Sequence, residues 1–356
     1  MTERNRAAEN YLKMIDFGYP DWIPAQISMI PATWFHYGEA LEELVLEHPA
    51  LFPGYQKGDF RKIELSRSYR RGKWVDIFGT VWENIEDGQE ANPVLAEPPL
   101  SNWDDLDTYQ LPDPLELDLF GEAINWEKRE VWVDEVKAQG DLAAGGLWHG
   151  AMYMRLYYVR GYENFMIDIA KEEPRLQELI DRVLSFNARV VQKWIEIGVD
   201  FFDFRDDLGI QKGLPISPKS WRRYIKPSFE HLFGLCRDQD VYVALHTDGH
   251  ILDIIPDLIE CGVQLLNPQV RPNTLEGLAD RCKGKVALKL DLDRQLFPFA
   301  TPQQLRGHIH QAVDTLALPE GGLMLLAELN YDVPLENIES ILSTLDGLGC
   351  RGYKPR

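Results

Sequence analysis

Short apolar runs alternate with longer segments of helical periodicity from about Asp141 onward. The apolar runs predict six strands, at residues 142–148, 199–205, 241–247, 263–267, 286–291 and 323–330. The segments between them predict helices, because their apolar residues recur every three or four positions, and the longest spans residues 175–197. This alternation is typical of β-α units whose strands form a parallel sheet.

Helix starts and one earlier strand extend this pattern. Pro218 and Pro302 each follow a Ser or Thr that can cap a helix, and Pro334 lies at the start of a third helix. Residues 1–18 have the amphipathic pattern of a helix, and residues 22–28 predict a strand. With one further strand expected between that strand and residue 141, the chain has enough strands for an eight-stranded barrel.

The predicted fold class is therefore α/β, a single TIM-type (β/α)8 barrel with an N-terminal elaboration. A doubly wound open sheet is the main alternative, but it usually has a glycine-rich phosphate turn after an early strand. Gly145 and Gly146 have no third glycine at the required place. The barrel is thus preferred over the open sheet.

The first 140 residues differ in composition from the rest. We expect one domain over residues 1–356, in which about 1–140 form the elaboration, including the first barrel unit, and about 141–350 form regular β/α units. Residues 74–83 predict a hairpin, and eight of the ten tryptophans lie between Trp22 and Trp148. These tryptophans either pack the elaboration over the barrel or line a substrate cavity.

The chain is strongly acidic, with 37 Lys and Arg against 57 Asp and Glu and a formal charge of −20. This charge argues against nucleic acid and anionic membrane partners, which bind basic surfaces. The four cysteines form no Cys-x-x-Cys pair and are predicted to be reduced thiols. Because the sequence contains no apolar signal segment and no membrane span, we expect a cytoplasmic protein.

Polar residues follow nearly every predicted strand, where β/α barrels carry their active sites. His246 and Asp248 lie two residues apart at one strand end, so their side chains should point to the same side. They suit three roles: a divalent metal site with Glu328 from the last strand as third ligand, acid–base catalysis without a metal, or a hydrogen-bonded pair that closes the strand.

Further candidates stand at the other strand ends. Asp206 and Asp207 are adjacent, so at most one should face the site, and Arg205 is the expected partner of these carboxylates. The predicted catalytic residues are Asp206, Asp207, Arg205 and His246. The predicted substrate-binding residues are Asn267, Gln269, Trp148 and His149. Lys289 and Asp291 are expected to form a structural pair.

Several motifs resemble the uroporphyrinogen decarboxylase superfamily. They are FRDDLGIQ from Phe204, LPISP from Leu214, WRRYIKP from Trp221, HTDGH from His246 and LNPQ from Leu266, with PDWIP from Pro20 and PLENI from Pro334 near the ends of the chain. The resemblance spans nearly the whole chain and is closer to the cobamide-dependent methyltransferases than to true uroporphyrinogen decarboxylases. It implies a TIM-type barrel enzyme.

The methyltransferase resemblance implies a zinc ion and a corrinoid protein partner that carries the methyl group. Those relatives hold zinc through a His-x-Cys pair and a distal cysteine. Here His246 matches the histidine, whereas Asp248 and Glu328 stand in place of the cysteines. A His/Asp/Glu set is harder and makes the metal a better Lewis acid for an oxygen-bearing substrate. The implied function is zinc-assisted methyl transfer between a small molecule and a corrinoid carrier.

Decarboxylation of a tetrapyrrole is the alternative function. True uroporphyrinogen decarboxylases grip their polyanionic substrate with an arginine-rich N-terminal motif, but the corresponding residues 26–38 contain no arginine. In that case Asp206 or Asp207 would orient the substrate. A barrel that binds a ligand without catalysis is a third possibility, since fold does not fix function. Relatives with this fold often form dimers, so the resemblance also implies a homodimer.

Overall fold

The computed structural model describes residues 3–356. The helices α1–α14 span Arg6–Ile15, Pro31–Tyr37, Glu39–Glu47, Trp126–Ala138, Tyr153–Arg160, Tyr162–Lys171, Arg175–Glu196, Pro218–Tyr224, Lys226–Arg237, Ile255–Cys261, Val270–Asn273, Leu275–Cys282, Pro302–Leu316 and Leu335–Gly347. The strands β1–β11 span Pro24–Ser28, Gly72–Val75, Val81–Asn84, Asn92–Pro93, Ala144–Gly146, Phe201–Arg205, Tyr242–Thr247, Leu265–Pro268, Ala287–Asp291, Leu323–Glu328 and Arg351–Gly352.

Eight of these strands form one parallel sheet in the order β11-β1-β10-β9-β8-β7-β6-β5. Seven of them are the strands predicted from the apolar runs, and the α/β alternation is confirmed. The helix starts also agree, because Ser217 caps α8 and Thr301 forms a capping box with Gln304 at the start of α13. All eight strands therefore present their carboxyl ends at the same edge of the sheet.

The eighth strand differs from the prediction, which placed it between residues 28 and 141. It is β11, near the C-terminal end of the chain, and it pairs with β1. Two residues are too few to give a recognisable apolar run, so periodicity could not find this strand. Beyond it, the backbone N–H of Arg356 donates to the Leu142 carbonyl at 2.9 Å, and Ala144 N donates to the Arg356 carbonyl at 2.5 Å. The C-terminal segment thus links β1 to β5, the two sides of the curled sheet.

Helix α1 covers the amino-terminal end of the sheet. The predicted amphipathic pattern begins at Met1, but Met1 and Thr2 lie outside the described residues. Tyr11 on α1 packs against Phe201 and Tyr353, with ring centroids 5.5 and 4.9 Å away. These rings are part of an apolar cluster that fills the inner face of the sheet at this end. This cluster therefore covers the amino-terminal end of the interior.

The elaboration after β1 contains the predicted hairpin. Strands β2 and β3 pair antiparallel, and Trp74 lies opposite Trp82 with the two rings stacked. The turn between them is held by Asp76, whose carboxylate accepts hydrogen bonds from its own loop and from the Trp82 indole. Arg155 on α5 donates to the same carboxylate at 2.7 Å, and both side chains are buried. This ion pair fixes the hairpin to the helix that follows β5.

No helix within residues 3–356 combines the length and the apolarity needed to cross a membrane.

Candidate functional site

A cavity of about 1150 Å³ opens at the carboxyl ends of the parallel strands. Its walls come from the strand ends and from the N-terminal elaboration. Five of the ten tryptophans line it: Trp74, Trp82, Trp126, Trp148 and Trp194. Apolar walls with a few convergent polar groups are typical of small-molecule sites. Four of these five belong to the eight tryptophans in the N-terminal part of the chain, and three of the four lie within the elaboration. These residues therefore line a cavity, which is one of the two roles considered for the tryptophans.

His246 lies at the end of β7 and points into this cavity. Its Nδ1 lies 3.0 Å from Asn267 Oδ1, and Asn267 Nδ2 donates to the Lys289 carbonyl at 2.6 Å. Because the amide nitrogen is committed to that carbonyl, the amide oxygen accepts a hydrogen bond from Nδ1–H. The Nε2 atom of His246 is therefore the one that faces the cavity and its carboxylates.

Two carboxylates converge on His246 Nε2. Asp248 Oδ1 lies 3.3 Å away and Asp207 Oδ1 lies 4.0 Å away. Asp207 also accepts a hydrogen bond from the backbone N–H of Asp248 at 3.1 Å and lies 3.3 Å from His149 Nε2. Burial alone would raise the pKa of Asp207, but the two histidines and the Asp248 N–H lower it below its usual value. Asp207 is thus an anion held between two imidazoles.

The His246 imidazole responds to the same charges. Burial favours its neutral form, but the Asp248 carboxylate beside it, together with the charge of Asp207, raises the pKa of His246 to about 9. At neutral pH the ring is therefore protonated and balances the carboxylates around it. A group of this kind can donate a proton to an oxygen or nitrogen atom of a bound molecule.

Two glycines bring Asp207 to His246. Gly209 follows β6 and Gly249 follows β7, and their backbones are in contact. A Cβ on Gly249 would lie 2.2 Å from the Gly209 carbonyl carbon, and Gly249 has a φ of +84°, which favours glycine. The two loops can approach this closely only because neither residue has a side chain. Their contact places Asp207 beside the Asp248 backbone.

The adjacent residue Asp206 points the other way. It is fully buried and accepts hydrogen bonds from the backbone N–H groups of Met152, Tyr153 and Met154 at 2.6–2.9 Å. Burial raises its pKa to about 6, against the effect of these donors. Asp206 therefore caps the start of α5, away from the cavity. The expectation that at most one of the two carboxylates faces the site agrees with this arrangement, since Asp207 lies beside His246. The structure places Asp206 at the start of α5, and its catalytic role stays a prediction.

Arg205 was predicted to pair with Asp206 or Asp207, but it pairs with neither carboxylate. Its guanidinium donates to Asp203 at 2.6 and 2.8 Å, and both residues face the cavity. Arg205 and Asp203 are two residues apart on β6, so they share the inner face of the sheet. Asp206 and Asp207 lie beyond the strand, in the loop.

Glu328 is not placed as a ligand beside His246. The guanidinium of Arg294 lies between the two carboxylates, donating to Asp248 Oδ2 at 2.7 Å and forming a close ion pair with Glu328. Of the predicted set of His246, Asp248 and Glu328, the structure brings the first two together and places Asp207, instead of Glu328, beside them. The sequence analysis missed Arg294, although a single cation after the acidic end of β9 was a usable signal.

Asp291 shows the charge imbalance in this region. It is 1% exposed, neither carboxylate oxygen has a hydrogen-bond partner, and its closest cation is Arg294 at 3.9 Å. Burial, with the charge of Glu328, raises the pKa of Asp291 to about 7. The predicted pair of Asp291 with Lys289 is not formed within 4.0 Å among residues 3–356.

The four predicted substrate-binding residues divide between two places. Trp148, His149 and Asn267 line the cavity. Gln269 is buried, and its side-chain oxygen accepts a hydrogen bond from Gly249 N at 3.1 Å. Gln269 therefore supports the turn that carries Asp248 and lies behind the cavity wall. The structure brings the other three within reach of a ligand.

The donor set at the cavity fits a divalent metal ion. Asp207, His246 and Asp248 each offer one ligand atom, and these atoms lie within 4.8 Å of one another. One imidazole nitrogen and two carboxylate oxygens form a set that zinc and harder cations accept. Asp248 Oδ1 is buried, lies 3.3 Å from His246 Nε2 and accepts no hydrogen bond from residues 3–356, so it would be available to such an ion. A bound cation would take the place of the His246 proton in balancing the carboxylates.

Comparison with protein families gives one match. The family model described as uroporphyrinogen decarboxylase (URO-D) matches residues 83–347, well over half of the chain. No curated protein matches the chain. The matched segment includes both glycine loops and all three residues of the Asp207–His246–Asp248 cluster.

A solved structure shares the fold of this chain at low sequence identity. A methyltransferase from Methanosarcina mazei matches with a TM-score of 0.66 and 16% identity, over 98% of this chain and 100% of that one. Dihydropteroate synthases from Xanthomonas albilineans and Anaplasma phagocytophilum match with TM-scores of 0.33 and identities of 16% and 18%. They cover 48% of this chain and 63% and 69% of their own.

Proposed function

The chain belongs to the uroporphyrinogen decarboxylase family, and on that premise we propose that it is a methyltransferase that moves a methyl group between a small molecule and a corrinoid carrier. The Asp207–His246–Asp248 cluster, of which His246 and Asp248 line the aromatic cavity, is the observation that carries this proposal. The fold shared with the Methanosarcina mazei methyltransferase over almost the whole chain supports it. The proposal includes a single domain whose sheet is closed into a barrel by the C-terminal segment.

The reacting atom of the substrate is proposed to lie against His246 Nε2. When a methyl group leaves an oxygen atom, the carbon–oxygen bond breaks and its electron pair stays on the oxygen. The protonated His246 can donate to that oxygen, and Asp207 and Asp248 hold the ring in place for this donation. Asp207 is itself fixed by His149 and by the Asp248 N–H. Both carboxylates therefore act as positioning groups through the imidazole.

Zinc is the proposed ion at this cluster, and Asp207, His246 and Asp248 are the residues that would hold it. When bound, it would take the place of the His246 Nε2 proton and, instead of proton donation by the imidazolium, would supply Lewis-acid stabilisation to an oxygen that gains negative charge. The corrinoid carrier would be a separate protein that supplies a methyl-accepting cobalt. It would approach from the open end of the cavity, because α1 covers the opposite end.

Decarboxylation of an acidic substrate is the second candidate, favoured by the family model that matches the chain. Arg205 and Lys289 line the same cavity as His246, so a carboxylate could bind within reach of the imidazolium. The positive charge of the cavity is too small to bind a substrate with many carboxylates. Decarboxylation is therefore the second candidate, after methyl transfer.

A spectroscopic assay separates the two functions. Cob(I)alamin loses its characteristic absorption when it is methylated, so the reaction can be followed with methoxylated and other methyl-bearing donors. We expect the protein to accelerate methylation and His246→Ala to reduce the rate by at least about 100-fold, as loss of a proton donor does. His231→Ala, at an exposed histidine, is the matched control and should retain full activity. Decarboxylation of uroporphyrinogen without methyl transfer would overturn the proposal.

Metal analysis tests the ligand set. After dialysis against zinc and then buffer, the wild-type protein should hold one ion per chain. Asp207→Ala and Asp248→Ala should each lose it, whereas Glu328→Ala should retain it because Glu328 pairs with Arg294. If Asp207→Ala retained the zinc ion and Glu328→Ala lost it, the ligands would be His246, Asp248 and Glu328. A metal-free wild-type protein would eliminate the zinc proposal.

A further inference from the structure

The cavity that His246 lines also contains three cations, two of which lack carboxylate partners. Lys289 lies on β9 and Lys354 lies in the C-terminal segment, and both line the cavity together with Arg205. Neither lysine has a carboxylate oxygen within 4.0 Å among residues 3–356, and neither ammonium group donates a hydrogen bond to any of those residues. Arg205 is paired with Asp203 alone. Among residues 3–356, Asp203 is therefore the one carboxylate within 4.0 Å of any of these three cations.

The environment makes these charges costly. The cavity floor beneath them is apolar and consists of Tyr11, Phe201 and neighbouring residues of the α1 cluster. Burial, only partly offset by Asp203, lowers the pKa of Lys289 to about 8, and burial also lowers the pKa of Lys354. An ammonium group in such a place is stabilised when an anion pairs with it.

A role in folding does not account for the two lysines. A lysine kept for stability is expected to pair with a carboxylate or to extend its head group into water. Half-buried Lys289 and exposed Lys354 instead line the cavity and have no carboxylate oxygen within 4.0 Å among residues 3–356, in a protein whose net charge is −20. The three cations give this part of the cavity a local positive charge, which attracts an anion that the overall charge of the protein would otherwise repel.

The cations lie close to the candidate reacting centre. Arg205 is paired in register with His246 on the neighbouring strand, and His246 is paired with Asn267. The Asn267 amide then donates to the backbone carbonyl of Lys289. His246 and Lys289 are therefore two strands apart, roughly 10 Å at the usual strand spacing, with both side chains inside the curled sheet.

From this arrangement we infer that the cavity binds an organic carboxylate with a flat, apolar body, whose carboxylate pairs with Lys289, Lys354 and Arg205 while its other end reaches His246. The inference rests on the proposed function for the identity of that end, which would carry the methyl group. The aromatic walls suit an unsaturated ring, which stacks on or against side chains such as Trp148 and Trp194. A substituted benzoate is the simplest molecule of this class.

The substrate class is tested with benzoate and its uncharged isostere benzamide. Isothermal titration calorimetry on the full chain, without corrinoid or methyl donor, should show benzoate binding at least about tenfold more tightly than benzamide. Lys289→Met and Lys354→Met should each weaken benzoate by about tenfold or more, as expected for the loss of a charged hydrogen bond, and leave benzamide within about twofold. Lys128→Met, at an exposed lysine on α4, is the matched control and should change neither affinity.

The pH dependence provides a second readout. The charged groups facing Lys289 are Asp203, Arg205, Lys354 and Glu328. Since the protonated lysine binds the anion, benzoate affinity should fall as the pH rises through about 8 in the wild-type protein. This part of the pH profile should be absent in Lys289→Met.

The failures of the two proposals are distinguishable. Equal affinities for benzoate and benzamide, or unchanged benzoate binding in both lysine variants, would overturn the carboxylate site even if methyl transfer from neutral donors were observed. Thermal unfolding shows whether each variant is folded, and a large loss of stability in both lysine variants would mean that the lysines support the fold instead. Selective benzoate binding without any methyl transfer would leave the carboxylate site standing and remove the proposed function.

Discussion

Asp206 and Asp207 are adjacent in sequence and have opposite surroundings. The Asp206 carboxylate is enclosed by three backbone N–H groups at the start of α5, whereas Asp207 is half-buried between His149 and His246. A helix start with three satisfied donors is a stabilising arrangement. A carboxylate between two imidazoles instead controls their charge and orientation. One position serves the fold and the other serves the site.

Replacing each carboxylate by an amide should separate these roles. In Asp206→Asn, the amide NH2 must face a backbone N–H, so the free energy of unfolding should fall by about 1–3 kcal/mol. In Asp207→Asn, the remaining oxygen can still accept from Asp248 N, so stability should change by less than about 1 kcal/mol while methyl transfer is lost. Urea denaturation and the corrinoid assay measure the two effects. An Asp206→Asn variant of normal stability and no activity would place Asp206 in the reaction after all.

The loops after β6 and β7 form the element on which the candidate site depends. Their contact at Gly209 and Gly249 is closer than any side chain permits. Hydrogen bonds from Gly209 N to the Asp248 carbonyl and from His250 N to the Ile210 carbonyl join the two loops along their length. The cluster is therefore assembled by backbone contact between two strand ends, and its geometry depends on the missing Cβ atoms.

A methyl group at Gly249 should disrupt this contact. Gly249→Ala would combine a positive φ with an overlap against the Gly209 backbone, so we expect stability to fall by at least about 2 kcal/mol and metal binding to be lost. Gly213→Ala is the matched control in the same β6 loop, because a Cβ at Gly213 would meet no atom within 4 Å. It should cost less than about 0.5 kcal/mol. Equal stability of the two variants would contradict the role given to the loop contact.

At the scale of the whole molecule, the C-terminal segment has two roles. It provides β11 and the backbone hydrogen bonds that link β1 to β5, and it supplies Lys354 to the cavity. Tyr353 between them packs on Tyr11 and donates to Asp141 at 2.7 Å. The proposed closure of the barrel and the proposed carboxylate site therefore share one short segment at the end of the chain.

Removing residues 353–356 should reveal this dependence. The loss of the buried Tyr353 ring and of the bridging hydrogen bonds should lower the free energy of unfolding by about 3 kcal/mol or more. Tyr353→Phe keeps the ring and loses only the bond to Asp141, so its cost should be about 1 kcal/mol. Denaturation of the two variants checks the difference. A truncated protein as stable as the wild type would mean that the segment does not close the sheet.

The sequence alone determined the repeating architecture and one part of the site. Apolar runs and helical periodicity located seven of the eight strands, because burial follows the local pattern along each element. The spacing of His246 and Asp248 placed both on the cavity side, because alternate residues of a strand share a face. The family resemblance was also contained in local motifs, and the family model confirms it.

Only the tertiary structure decided which groups complete the site. Arg294 forms an ion pair with Glu328, and Asp207 lies beside His246. Lys289 and Lys354 line the same cavity although they are 65 positions apart in the chain. The curled sheet brings these residues together, because it places strand ends side by side that no local pattern connects. The two-residue strand β11 can be recognised only from its backbone pairing with β1 in the folded protein. Local periodicity records how each element is buried, whereas the contacts between distant elements arise when the sheet curls and its strand ends converge.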